Sequence, residues 1–185
     1  KAAKLAFDYL RYDEDGNVVD QWTSTDKVHS IEGLVVGKTY TLSETVTAKD
    51  YVKATDIKFT VKNSSELETV TMKDKQVFVS KTTVGGEEVT GAHMQIIDEG
   101  GNIIDEWYSE GKSHIANGLE EGKTYTLHED LSPLGFNLAN DFTFEVTKEK
   151  ENQTVEMIDT ITEVNKTDVD GKAVKEATLS IVSEK

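Results

Sequence analysis

Apolar and polar residues alternate in short bursts along this chain. Phe142-Thr143-Phe144-Glu145-Val146, Ile57-Lys58-Phe59-Thr60-Val61, Val77-Phe78-Val79-Ser80-Lys81 and Thr154-Val155-Glu156-Met157-Ile158 all place apolar side chains at alternate positions. Such alternation marks strands with one buried face. Turn signals separate the bursts: Asp15-Gly16-Asn17, Gly100-Gly101-Asn102, Glu121-Gly122-Lys123 and Asp170-Gly171-Lys172. No long stretch carries a helical period, and the sole proline is Pro133. The pattern predicts an all-β fold, with antiparallel Ig-like sandwiches of about seven strands per folding unit.

The pattern also repeats. Trp22, Gly33, Gly37, Tyr40, Glu44, Phe59 and Asp74 recur as Trp107, Gly118, Gly122, Tyr125, Glu129, Phe144 and Asp159, each 85 residues later. A fixed period of this length signals tandem copies of one unit. Unit one is expected at residues 1–75 and unit two at 76–160. The segment 161–185 reads as the opening strands of a further copy, because Val164-Asn165-Lys166-Thr167 falls 85 residues after Val79-Ser80-Lys81-Thr82. Unit one lacks the opening strand that carries Lys81 in unit two. The junction Lys73-Asp74-Lys75-Gln76 has no Gly, Ser or Pro spacer, so the units should join stiffly.

Composition narrows the chemistry. The 185 residues contain no cysteine and carry a formal net charge of −15. Disulfides are therefore absent, and binding to a phosphate backbone is disfavoured for want of Lys and Arg neutralisation. No run approaches the roughly 20 apolar residues of a membrane helix, so no membrane insertion is expected. The abrupt start at Lys1-Ala2-Ala3-Lys4 reads as a fragment of something longer. Asp13-Glu14-Asp15-Gly16-Asn17 and Asp168-Val169-Asp170-Gly171 match calcium loops only faintly and read as β-turns. His29 and His114 stand without a second His or a Cys, which points to packing rather than a metal. Trp22 and Trp107 read as core anchors. No cofactor motif and no Ser-His-Asp set is present.

Three ionisable residues of unit two are aimed inward. Lys81 continues the alternation of Val77 and Val79, Asp159 that of Val155 and Met157, and Glu129 that of Tyr125 and Leu127. An isolated buried charge is costly, so three such groups on one core are expected to meet. A surface network, natural in a chain that is 30% charged, is the competing reading. The register shared by Glu44 with Glu129 and by Asp74 with Asp159 weighs against it.

These residues carry a resemblance. Lys81 after an apolar strand, Gly91-Ala92-His93-Met94-Gln95-Ile96-Ile97-Asp98, Trp107, Gly122-Lys123-Thr124-Tyr125-Thr126-Leu127-His128-Glu129 and Pro133-Leu134-Gly135-Phe136 resemble the Cna B-type, prealbumin-like domains of Gram-positive surface adhesins and pilins. The likeness spans nearly all of unit two, and unit one from Trp22 onward. It implies an intramolecular isopeptide bond, with Lys81 as nucleophile, Asp159 as acceptor and Glu129 as proton shuttle. The attack needs a neutral amine and a protonated acceptor, and apolar surroundings favour both. This is self-modification once per domain rather than enzymatic turnover. A crosslink closing a loop of 78 residues stabilises by about 4–5 kcal/mol on the chain-entropy model.

By the same implication Lys166, Glu44 and Asp74 form a second set, split between the chain's two ends. The segment 161–185 either completes unit one, as a permuted or engineered arrangement within one chain or as head-to-tail strand exchange between chains, or is the loose end of a longer array. Thr45-Val46-Thr47-Ala48 departs from the family's proline-containing turn. The implied role is a stalk module on the cell wall of a Gram-positive bacterium, with adjacent repeats as partners. The alternative is an adhesin domain that binds a host protein or glycan. Survival of a saturable partner contact in Lys81→Ala separates the two.

Overall fold

In the computed structural model the backbone is described for residues 8–183 and side chains for 13–183. Residues 1–7 of the expected unit one lie outside the described residues. The described residues form strands, turns and loops without a helix, so none of them supplies a helix long and apolar enough to cross a membrane.

Unit two is a sandwich of seven strands. β5 (Val77–Thr83), β8 (His114–Ile115) and β11 (Gln153–Asp159) form one sheet in the order β11-β5-β8. β6 (Thr90–Ile97), β7 (Ile103–Glu110), β9 (Thr124–Leu131) and β10 (Phe142–Glu145) form the other, in the order β10-β9-β6-β7. Val77, Val79, Ala92, Met94, Ile96, Leu127, Val155 and Met157 fill the space between the sheets. One pairing departs from the expected antiparallel pattern: β5 and β11 run parallel, with Met157 opposite Lys81 and Asp159 opposite Thr83. First and last strands of a unit therefore lie side by side, which brings Lys81 and Asp159 to the same end of one sheet.

Among the described residues, unit one builds only the counterpart of the second sheet. β1 (Asp8–Tyr12), β2 (Val18–Thr23), β3 (Thr39–Glu44) and β4 (Ile57–Thr60) take the order β2-β1-β3-β4. Corresponding pairs keep register: Tyr9 faces Glu44 as Met94 faces Glu129. The bulge between Arg11 and Tyr12 recurs between Ile96 and Ile97. Residues 68–74, which match β11, carry no strand. β11 takes its ladder from β5 alone, and no described strand stands at that place in unit one. A strand without a partner leaves its backbone groups to other acceptors.

The units touch through specific bonds. Val52 is buried in the unit-two core cluster. Lys53 and Glu120 form a parallel bridge, with Lys53 N–H donating to Leu119 O (2.9 Å) and Glu121 N–H to Lys53 O (3.0 Å). Residues 161–183 are exposed throughout and contain a turn that pairs Thr167 with Ala173.

Candidate functional site

Burial alternates in step with the sequence pattern, and this is what assembles the site. Along β5, Val77, Val79 and Lys81 point inward; along β11, Val155, Met157 and Asp159; along β9, Tyr125, Leu127 and Glu129. Lys81 and Asp159 come from one sheet. Glu129 reaches them from the opposite sheet, next to Met94 in the ladder. All three are sealed from solvent, at 2%, 1% and 0% exposure.

The Lys81 Nζ donates to Asp159 Oδ1 and lies 3.2 Å from Glu129 Oε1. Glu129 is fixed from behind, because its Oε2 accepts the Ala139 N–H at 2.6 Å. Asp159 Oδ2 is buried and accepts no hydrogen bond. One amine therefore meets two carboxyl groups in an apolar pocket. Charged, the trio holds one more negative than positive charge, and such burial is expensive even for a paired set. An amide between Lys81 and Asp159 removes both charges of the pair. The expelled oxygen would be the Asp159 oxygen that has no partner.

Unit one holds the two corresponding carboxyl groups, and no lysine among the described residues forms an ion pair with them. Glu44 is 2% exposed, and its Oε2 accepts the Ala54 N–H at 3.1 Å, repeating the Glu129–Ala139 bond. Burial lifts its carboxyl above the ordinary range against that N–H, and nearby Asp74 adds to the rise. Burial likewise lifts Asp74, with the Glu121 charge adding to it and Lys150 opposing it. Asp74 Oδ1 is buried with no hydrogen bond. Lys166 is exposed and makes no ion pair with either carboxylate, so the structure does not bring the second set together.

The Trp residues are half-buried rather than central. Each stacks on a histidine: Trp107 on His114 at 4.0 Å between ring centroids, Trp22 on His29 at 4.3 Å. Each histidine in turn bonds an aspartate, His114 to Asp105 (2.8 Å) and His29 to Asp20 (2.9 Å). Burial pushes Asp105 upward, but the His114 and Asn117 bonds outweigh it and leave it lowered. These Trp-His-Asp stacks pin a strand to the following loop. No cluster of three or more metal-ligating side chains occurs among the described residues. The faint calcium loops are turns. Asp13 Oδ1 accepts the N–H groups of Asp15 and Asn17, and Asp168 Oδ1 those of Asp170 and Lys172.

A polar clasp at the junction was not anticipated. Glu121 accepts from Thr55 N–H and Thr55 Oγ1, both at 3.0 Å, and from Lys150 Nζ at 2.7 Å. The buried Lys75 donates to Thr147 Oγ1 at 2.7 Å and also to Thr147 O. Burial pushes the Lys75 amine below its ordinary range. The available signal lay in mismatches between the repeats: at an offset of 85, Thr55, Lys75, Glu121 and Lys150 correspond to Asn140, Thr160, Val36 and Ser65.

Comparison with known proteins supplies the family. No curated protein matches the chain. Among solved structures, the shaft pilin SpaA from Lactobacillus rhamnosus GG is similar at 13% identity, covering 86% of this chain and 88% of that one, with a TM-score of 0.42. A C-terminal fragment of the pilus adhesin SpaC from the same organism is similar at 11% identity, covering 90% and 94%, with a TM-score of 0.42. The Bacillus anthracis TIE protein is similar at 19% identity over 84% of this chain and 30% of that one, with a TM-score of 0.35. The family model for the SpaA prealbumin-like fold domain matches twice in tandem, over residues 4–76 and 75–161, and the chain belongs to that family.

Proposed function

We propose that this chain is a structural stalk segment of a Gram-positive surface or pilus-like protein, held closed by self-made isopeptide bonds. The observation that supports this reading most is the meeting of Lys81, Asp159 and Glu129 in one dry pocket spanning both sheets. Lys81 Nζ, as a free amine, attacks Asp159 Cγ, and a C–N bond forms. The C–O bond to the second Asp159 oxygen breaks, and that oxygen leaves as water. Glu129 takes the proton shed by the nitrogen and passes it to the departing oxygen, so it ends as it began. The fold supplies the acceleration by holding amine and carboxyl in contact. Nothing turns over, because the product is the protein itself.

By register, the same roles extend to unit one and to the trailing segment. Glu44 and Asp74 are shuttle and acceptor in unit one, and Lys166 is the nucleophile on an opening strand of the same kind. Intact-mass measurement of the denatured chain tests both parts. A Lys81–Asp159 bond removes the mass of one water molecule, and Lys81→Arg retains that mass. A full-length mass equal to the summed sequence would sink the reading for unit two. A Lys166–Asp74 bond within one chain removes a second water. Between chains it gives a covalent ladder on a denaturing gel.

A further inference from the structure

The surface of unit one that meets unit two recurs in unit two, where it is exposed among the described residues. In the junction, Lys53 bridges Glu120, and the Asp50 N–H donates to Asn117 Oδ1 at 2.8 Å. At an offset of 85, Lys53 becomes Leu138 and Asp50 becomes Gly135. The backbone there is the same: Asn137 N–H donates to Thr160 O at 2.9 Å, as Val52 N–H does to Lys75 O at 2.9 Å. Leu138, Asn140, Ile158 and Thr160 line a shallow hollow on this face. Leu138 is 57% exposed.

The opposite face of the junction recurs as well, uncovered, in unit one. Residues 117–121 of unit two match 32–36. Gly33 and Gly118 share a left-handed backbone, at φ +78° and +74°, as do Gly37 and Gly122. Val35 N–H donates to the Tyr40 hydroxyl at 3.0 Å, as Glu120 N–H does to that of Tyr125. Val35 and Val36 are 56% and 54% exposed.

The two uncovered faces differ from the junction in a matched way. Where the junction pairs Lys53 with Glu120, the uncovered faces would pair Leu138 with Val35. The two residues of the backbone bridge are thus replaced by apolar ones on both sides at once. Glu32 replaces Asn117 and still offers an acceptor for the Gly135 N–H. We propose that these faces are two halves of one interface, and that the Leu138 face of one copy of this chain docks on the Val35 face of a second copy. The contact repeats the internal junction, including the bonds of Leu138 N–H to Leu34 O and of Val36 N–H to Leu138 O. Because two different faces meet, association is head-to-tail and does not close into a pair. It is weaker than the junction, since Asn140, Val36 and Ser65 cannot reproduce the bonds among Thr55, Glu121 and Lys150. It does not depend on the Lys81–Asp159 bond.

Sedimentation equilibrium of the 185-residue chain, up to millimolar concentration, tests this. Reversible association that keeps growing with concentration is expected. Leu138→Lys alone, or Val35→Glu alone, weakens it about tenfold or more, because an apolar contact becomes a charge facing an apolar group. The double variant Leu138→Lys with Val35→Glu places the junction's own residue types at both bridge positions and restores association. Both side chains are exposed, so thermal melting of each variant should match the parent. A monomer at every concentration overturns the proposal. So does association equal in all variants, or a double variant as weak as the singles.

Discussion

Unit one and unit two share a register residue for residue, yet among the described residues only unit two closes as a sandwich. What forms in both is what short-range pairing supplies. β1 to β4 repeat the order of β7, β6, β9 and β10 down to a shared bulge. Glu44 is seated by Ala54 as Glu129 is by Ala139, in each case ten residues along the chain. What unit one does not show is the β5–β11 sheet, whose two main strands are separated by the whole unit. The glutamate of the site is thus seated locally, while Lys81 and Asp159 are brought together by the long-range β5–β11 ladder. Glu44 is buried and Asp74 half-buried in unit one, and neither forms an ion pair with a lysine among the described residues.

The largest break in this contrast should come from Lys81→Ala. It leaves Glu129 and Asp159 facing each other as Glu44 and Asp74 do, and on the proposed reading removes about 4–5 kcal/mol of crosslink stabilisation. Thermal melting and limited proteolysis should show unit two falling towards the resistance of unit one. A melting profile unchanged by the substitution would mean that no crosslink joins β5 to β11.

Glu129→Ala should keep the amine and acceptor but stall their condensation, so the mass stays at the uncondensed value long after purification. Glu44→Ala should leave the unit-two mass untouched. If both variants condense as fast as the parent, Glu129 is not the shuttle.

At the junction, Glu121→Ala removes four hydrogen bonds and strands Lys150, which should cost about 1–3 kcal/mol. Hydrogen exchange in Val52–Thr55 should accelerate, while β9 stays protected. Equal acceleration in both places would show that Glu121 supports unit two alone.

The smallest effect is pH dependence in unit one. Glu44 and Asp74 have raised folded values, so the folded state holds protons more tightly than the unfolded one. Stability from this source therefore falls as pH rises from the ordinary carboxylate range through the raised values, and returns on acidification. Exchange rates of β3 amides should slow at mildly acidic pH. A β3 response that runs the opposite way would remove burial as the cause.

Much of this was legible in the residue pattern. Alternation placed Lys81, Glu129 and Asp159 on inward faces. Parallel pairing of β5 with β11 was not legible, since alternation says which face a residue takes and nothing of strand direction. Loss of the strand at 68–74 was hidden for a related reason: the pattern is intact there, but a ladder needs a partner. The Glu121 clasp escaped because attention to repeated positions passes over positions that differ, and junction chemistry resides in those.

The side-by-side placement of β5 and β11 also sets an order of events in time. Their ladder joins segments at opposite ends of the unit, so it pairs after the local hairpins, at the greatest cost in loop closure. Lys81 cannot meet Asp159 until that step is complete. On the proposed chemistry, bond formation is therefore a ratchet: it acts only on chains that have already folded correctly, and a chain that has passed it has no route back to the fully open coil.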